Sequence, residues 1–133
     1  MEEVQKVNTQ GSLVVLLVSD MEKSQTFYQN VLGCEVTDFW VVRNGLTGLG
    51  FKLIQAGDPN DIQPNSKIGK VVWDAYTYVD DFEALDNLYK EFKTNGATVA
   101  LEPEVSDFDW GSWKEFSIQD PDGYVIGFGA GKK

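Results

Sequence analysis

With 133 residues, 42% of them apolar, the chain is long enough for one domain around a single sizeable core and too apolar for disorder. Eleven Lys and Arg stand against 21 Asp and Glu, a net charge of −10; that balance argues against nucleic-acid binding, which cationic side chains drive. It suits a cationic ligand, or simply a surface kept acidic for solubility. The chain has no histidine, which removes His general acid–base catalysis, His-activated nucleophiles and imidazole metal ligation.

The first ten residues, MEEVQKVNTQ, are polar and acidic without a hydrophobic core, so no secretory signal is expected. No apolar run approaches the roughly 20 residues of a membrane span. Residues 13–18, LVVLLV, read as a strand. Ser19 with Glu22 fits a capping box, and Met21, Ser24, Phe27, Tyr28, Val31 and Leu32 recur at helical spacing until Gly33. Cys34 is the only cysteine, so no intramolecular disulfide can form and a cytoplasmic protein is expected. A catalytic thiol needs a cationic partner to become a thiolate, and no histidine can provide one, so Cys34 reads as structural. Glu35–Val42 and Gly48–Gln55 read as strands around a turn at Arg43-Asn44-Gly45, and Ala56–Lys70 as a linking loop rich in Gly, Pro, Asn and Asp.

The pattern then returns. Asp74–Val79 reads as a strand, Asp80-Asp81-Phe82-Glu83 as a helix start, and Phe82, Leu85, Leu88, Tyr89 and Phe92 as an apolar stripe ending at Gly96. Strands follow over Thr98–Glu102, Trp113–Gln119 and Tyr124–Gly129, with Ser106–Trp113 expected as a loop. Both halves therefore read β-α-β-β-β. The expected organisation is one α+β domain of two fused modules: about 11–55, a linker over 56–70, and about 71–130.

At this point LVVLLVSDMEKSQTFYQNVLG and DPDGYVIGFG resemble the first strand and helix, and the last strand, of the vicinal oxygen chelate superfamily. That group includes glyoxalase I, bleomycin resistance proteins, extradiol dioxygenases and fosfomycin resistance enzymes. The resemblance implies paired βαβββ modules, a cupped mixed sheet and helices outside. Metal-dependent members place ligands at four cup positions, which fall here on Leu13, Lys52, Asp74 and Gly127. Leucine, lysine and glycine offer no oxygen ligand, so the resemblance implies no metal and no other cofactor. Gly127 and Gly129, alternate on one strand, mark a place of close approach and are expected to leave empty volume on the cup wall, the alternative being that they let two sheets pack tightly or the strand bend.

Strand alternation places Tyr76 and Tyr78 on the cup side with Asp74, and Leu13, Val15 and Leu17 likewise, with Lys52 and Ile54 sharing that side of their strand. Lys52 and Asp74 invite pairing across the cup, either to orient a ligand or as a solvated ion pair, with Asp74 as a general base the alternative. Phe108, Trp110 and Trp113, interleaved with acids, are expected to fold over a ligand at the cup mouth, to cap the core or to fill a dimer contact; Trp40 is a lesser candidate. The expected function is metal-independent binding of a cationic or aromatic small molecule, of the bleomycin-resistance type, at Asp74, Tyr76, Tyr78, Lys52, Trp110, Trp113, Phe108, Trp40 and Gly127, without catalytic residues. Such relatives are commonly homodimers. The alternatives are a glyoxalase-like lyase or isomerase, which needs further carboxylates such as Asp38, Glu102, Glu104 and Glu115 to converge, and an interaction module with a filled cup.

Overall fold

Each half of the chain starts its helix on an aspartate. In a computed structural model, which describes residues 4–38, 40–45, 48–67 and 73–133, the Asp20 carboxylate accepts from the Lys23 amide at 3.1 Å and Asp81 from the Ala84 amide at 2.8 Å. These side chains satisfy amides that a helix start leaves without partners, and they open α1 (Met21–Asn30) and α2 (Phe82–Thr94). Ser19, expected as the first cap, is engaged elsewhere: its amide and hydroxyl both donate to Asp122, at 3.1 and 2.5 Å.

Module one contains β1 (Val14–Val18), β2 (Glu35–Thr37), β3 (Trp40–Arg43) and β4 (Leu49–Gln55). Module two contains β5 (Ala75–Tyr78), β6 (Thr98–Phe108), β7 (Gly111–Gln119) and β8 (Val125–Lys132). Their sheets have the orders β1-β4-β3-β2 and β5-β8-β7-β6, with the first pair parallel and the rest antiparallel. The α+β, two-module reading holds. Val14 pairs with Phe51, and Ala75 with Ile126, so the repeat superposes with offsets of 61 residues on the first strand and 75 on the last.

Two expected elements differ. The single strand over Glu35–Val42 is a hairpin of β2 and β3: Asp38 adopts φ 52°, a conformation Asp tolerates, and the Gln25 side-chain amide donates to its carbonyl. Phe39 lies outside the described residues. Ser106–Trp113 is not a loop but the end of a long β6–β7 hairpin, in which Ser106 pairs with Trp113 and Phe108 with Gly111. The Ser112 hydroxyl donates to Asp107 at 2.6 Å, and Gly111, at φ 146°, supplies a tip conformation that side chains rarely adopt. Of the linker, Pro59–Asp61 and Asn65–Lys67 are single helical turns; residues 68–70, and 71–72 at the start of module two, lie outside the described part.

The core sits on the helix side of both sheets. Leu16, Val18, Val41, Phe51 and Leu53 are buried with Tyr28 and Leu32 of the α1 region; Phe116, Ile118, Ile126 and Phe128 are buried with Leu85 and Phe92 of α2. Each such side chain contributes about 1.5–3 kcal/mol relative to exposure. Because strand residues alternate, this arrangement turns the intervening positions to the opposite face. Among the described residues no helix is long and apolar enough to cross a membrane.

Polar clamps join the modules. Tyr28 donates to the Asp120 carboxylate at 2.8 Å, and Tyr124 donates to the Leu17 carbonyl at 2.8 Å. At the other joint Arg43 forms a two-pronged ion pair with Glu91 and also donates to the Leu32 carbonyl at 3.0 Å.

Candidate functional site

Register decides which side chains meet on the face away from the helices. In module two, Tyr76 lies beside Gly127 and Ser117; Tyr78 lies beside Gly129 and Glu115; Gly131 lies beside Trp113. The glycines do not widen the cup as expected. A Cβ on Gly127 would sit 2.6 Å from Trp73 Cδ1 and 2.7 Å from Tyr76 Cδ2; one on Gly129 would sit 2.5 Å from Trp113 Cζ2 and closer still to the Tyr76 hydroxyl. Aromatic side chains press against the β8 backbone, and only glycine lets them so close. The volume is filled by Trp73, Tyr76 and Trp113.

That layer carries one carboxylate. The Tyr76 hydroxyl donates to Glu115 Oε1 at 2.6 Å, and Trp113 Nε1 donates to the Tyr76 oxygen at 2.9 Å and to Glu115 Oε1 at 3.3 Å. Burial, and secondly the bond to Glu115, push the Tyr76 phenol well above its ordinary value, so it stays a donor at any physiological pH. Tyr76 stacks near Trp113 at 6.4 Å between centroids, and Tyr78 meets Trp113 edge to face at 5.8 Å. Tyr78 is 76% exposed, so this ring presents its surface to solvent beside the carboxylate. Glu104 lies directly opposite Glu115 on the same face, adding a second negative charge. Trp73 Nε1 is buried without a hydrogen-bond partner among the described residues.

The remaining expected residues divide by module. Phe108 and Trp110 stack in parallel at 5.6 Å near the hairpin tip, each about half exposed; a Cβ on Gly131 would lie 3.7 Å from Trp110 Cη2, so Trp110 extends the same aromatic row. On the module-one sheet Val15, Lys52 and Trp40 lie side by side in one register row, with Leu17 and Ile54 in another. Trp40 is 40% exposed and Val15 60%. The Asp74 carboxylate is engaged by backbone: Oδ1 accepts from the Asn65 amide at 2.7 Å and Oδ2 from the Val125 amide at 2.9 Å. It ties the linker to the start of β8. Cys34 is buried, and burial pushes its thiol up to about 12 despite the opposing pull of Arg43.

The four positions at which the resemblance would place metal ligands do not form a donor set. Leu13 packs over Gly50, Gly127 is covered by Trp73 and Tyr76, and both oxygens of Asp74 hold amides. Among the described residues no group of three or more His, Cys, Asp or Glu side chains is placed to hold a metal ion. The residue that sequence reasoning underweighted is Glu115, which it named only among acids that might converge. The available signal was the glycine at 129, whose register partner it is.

The family model of the Glyoxalase/Bleomycin resistance protein/Dioxygenase superfamily matches residues 12–128. Among solved structures, a glyoxalase/bleomycin resistance protein/dioxygenase from Alicyclobacillus acidocaldarius is 16% identical with a TM-score of 0.71, covering 93% of this chain and 92% of that one. TnmS3, an antibiotic binding protein from Streptomyces sp. CB03234, is 22% identical with a TM-score of 0.64 over 96% of this chain and all of that one. The fosfomycin resistance protein FosX from Listeria monocytogenes is 16% identical with a TM-score of 0.65 over 95% and 96%. Among curated proteins, none matches the chain significantly.

Proposed function

The chain belongs to the glyoxalase/bleomycin resistance protein/dioxygenase superfamily, and we propose that within it this protein binds a planar, cationic aromatic molecule without a metal ion and without chemical conversion. The observation that carries the reading is the Glu115 carboxylate, held by the Tyr76 hydroxyl and the Trp113 indole beneath a partly exposed aromatic surface. Ring faces attract cations and stack on planar ligands, and the fixed carboxylate supplies the opposite charge at their edge. The net charge of −10 draws a cation from a distance. The likeness to TnmS3, an antibiotic binding protein, is consistent with binding as the activity.

Titration with N-methylacridinium, followed by tryptophan fluorescence, tests this. The wild-type protein should quench saturably, and Glu115→Gln should weaken binding about 10- to 100-fold, the range for losing an interaction with a charged partner. Neutral acridine should not distinguish the two proteins. Equal affinity of both for the cation, or no saturation by the wild-type protein, overturns the proposal.

A further inference from the structure

The two module joints are built on one plan but filled differently. By the register offsets, Leu17 at the end of β1 corresponds to Tyr78 at the end of β5, and Leu49 before β4 continues corresponds to Tyr124 before β8. Arg43, which pairs with Leu49, corresponds to Asp120, whose amide bonds the Tyr124 carbonyl. Both residues reach the helix of the other module: Asp120 meets Tyr28, and Arg43 meets Glu91. The clamps match.

What lies beside them does not. At the first joint the Tyr124 ring crosses the gap, only 7% exposed, and its hydroxyl donates to the Leu17 carbonyl. Val18 there is fully buried. At the second joint the corresponding residue is Leu49, which has no ring and no donor. Tyr78 is 76% exposed, Val79 is only partly buried, and a cleft of about 530 Å³ opens between Leu49, Tyr78, Val79, Leu88, Phe92 and Phe128. That volume falls in the range of small-molecule sites, roughly 300–1,000 Å³. The sole guanidinium at its margin, Arg43, is already neutralised by Glu91, so the cleft has no charge to offer an anion.

We infer that this cleft is a second binding site, adjoining the Glu115 face at Tyr76 and Tyr78 but not lined by Glu115 or Trp113, which takes a neutral phenolic ring in the place the Tyr124 side chain fills at the other joint, with the phenol donating to the Tyr78 carbonyl. The internal copy supplies the template: the same strand end, a ring of the same kind, and a hydroxyl of the same reach.

The experiment uses 1-naphthol, with 1-methoxynaphthalene as the analogue that lacks the donor. Amide chemical shifts of the isotopically labelled full chain should move saturably with 1-naphthol at Tyr78–Asp80, Ala84 and Leu88. The methoxy compound should bind at least about tenfold more weakly. Leu49→Tyr copies the filled joint; it should abolish these shifts with an unchanged or raised melting temperature. Glu115→Gln should leave them intact. Shifts confined to Trp113, Glu115 and their neighbours, equal affinity for both compounds, undiminished binding by a folded Leu49→Tyr, or no saturable shift in the wild-type protein would each overturn the inference. Should Leu49→Tyr fail to fold, the wild-type map and the donor comparison still decide it.

Discussion

Asp120 makes the stability of this protein pH-dependent in the direction opposite to most carboxylates. Its side chain is 5% exposed. Burial raises its carboxyl from 3.8 to about 6, while the Tyr28 hydroxyl and the Tyr124 and Asp122 amides pull the other way without prevailing. At 1.36 kcal/mol per pH unit, that corresponds to about 3 kcal/mol between its protonation states. The folded-state value lies above the unfolded one, so the stabilisation is fully present below about pH 4 and is lost as pH rises through about 6. Asp120→Asn keeps the shape and an acceptor for the turn amides but cannot ionise, and the Tyr28 hydroxyl can rotate to accept from the new amide group. Urea denaturation of both proteins from pH 4 to 7.5 should show the variant gaining on the wild type as pH rises, by as much as about 3 kcal/mol. The difference isolates this residue from all others that titrate. A stability difference that stays flat across the range would refute the reasoning.

Two further changes test the packing. Gly129→Ala places a methyl group inside the Tyr76 and Trp113 rings; it should destabilise by about 1–3 kcal/mol, as overpacking does, and diminish the near-ultraviolet circular dichroism of the aromatic layer. Gly57→Ala, where an added Cβ meets nothing within 4 Å, is the control and should stay within about 0.5 kcal/mol. A double-mutant cycle on Arg43 and Glu91, whose side chains are 26% and 40% exposed, should give a coupling of only about 0.5–1 kcal/mol in chemical denaturation. Arg43→Ala should exceed Glu91→Ala, because the Leu32 carbonyl also loses its donor.

The repeat was legible because its signals are local: an acid before each helix, an apolar stripe at helical spacing, and a glycine after it. Asp20 and Asp81 start the helices in equivalent places; the sequence pointed to Ser19 as the first cap, but Asp122, more than 100 residues away, engages it instead. The site was less legible because it depends on register. That Glu115 would sit beside Gly129, under Tyr76, follows from how three strands align, and no run of residues states it. The glycines were read correctly as places of close approach and wrongly as empty ones: an absent side chain is visible in a sequence, but what moves into the gap is not. The β6–β7 hairpin was missed because Asp, Ser and Gly around Phe108 and Trp110 carry turn chemistry, and they make only its tip.

The two joints between modules are of different electrical kinds, and this has a consequence for how the molecule comes apart. One holds a neutralisable acid sealed from water; the other holds a solvent-accessible pair of opposite charges. Dissolved ions screen the second and scarcely reach the first. Raising ionic strength at constant pH will therefore weaken the Arg43 side alone, whereas raising pH through about 6 at constant salt weakens the Asp120 side, a polarity that the twofold-repeated architecture would otherwise lack.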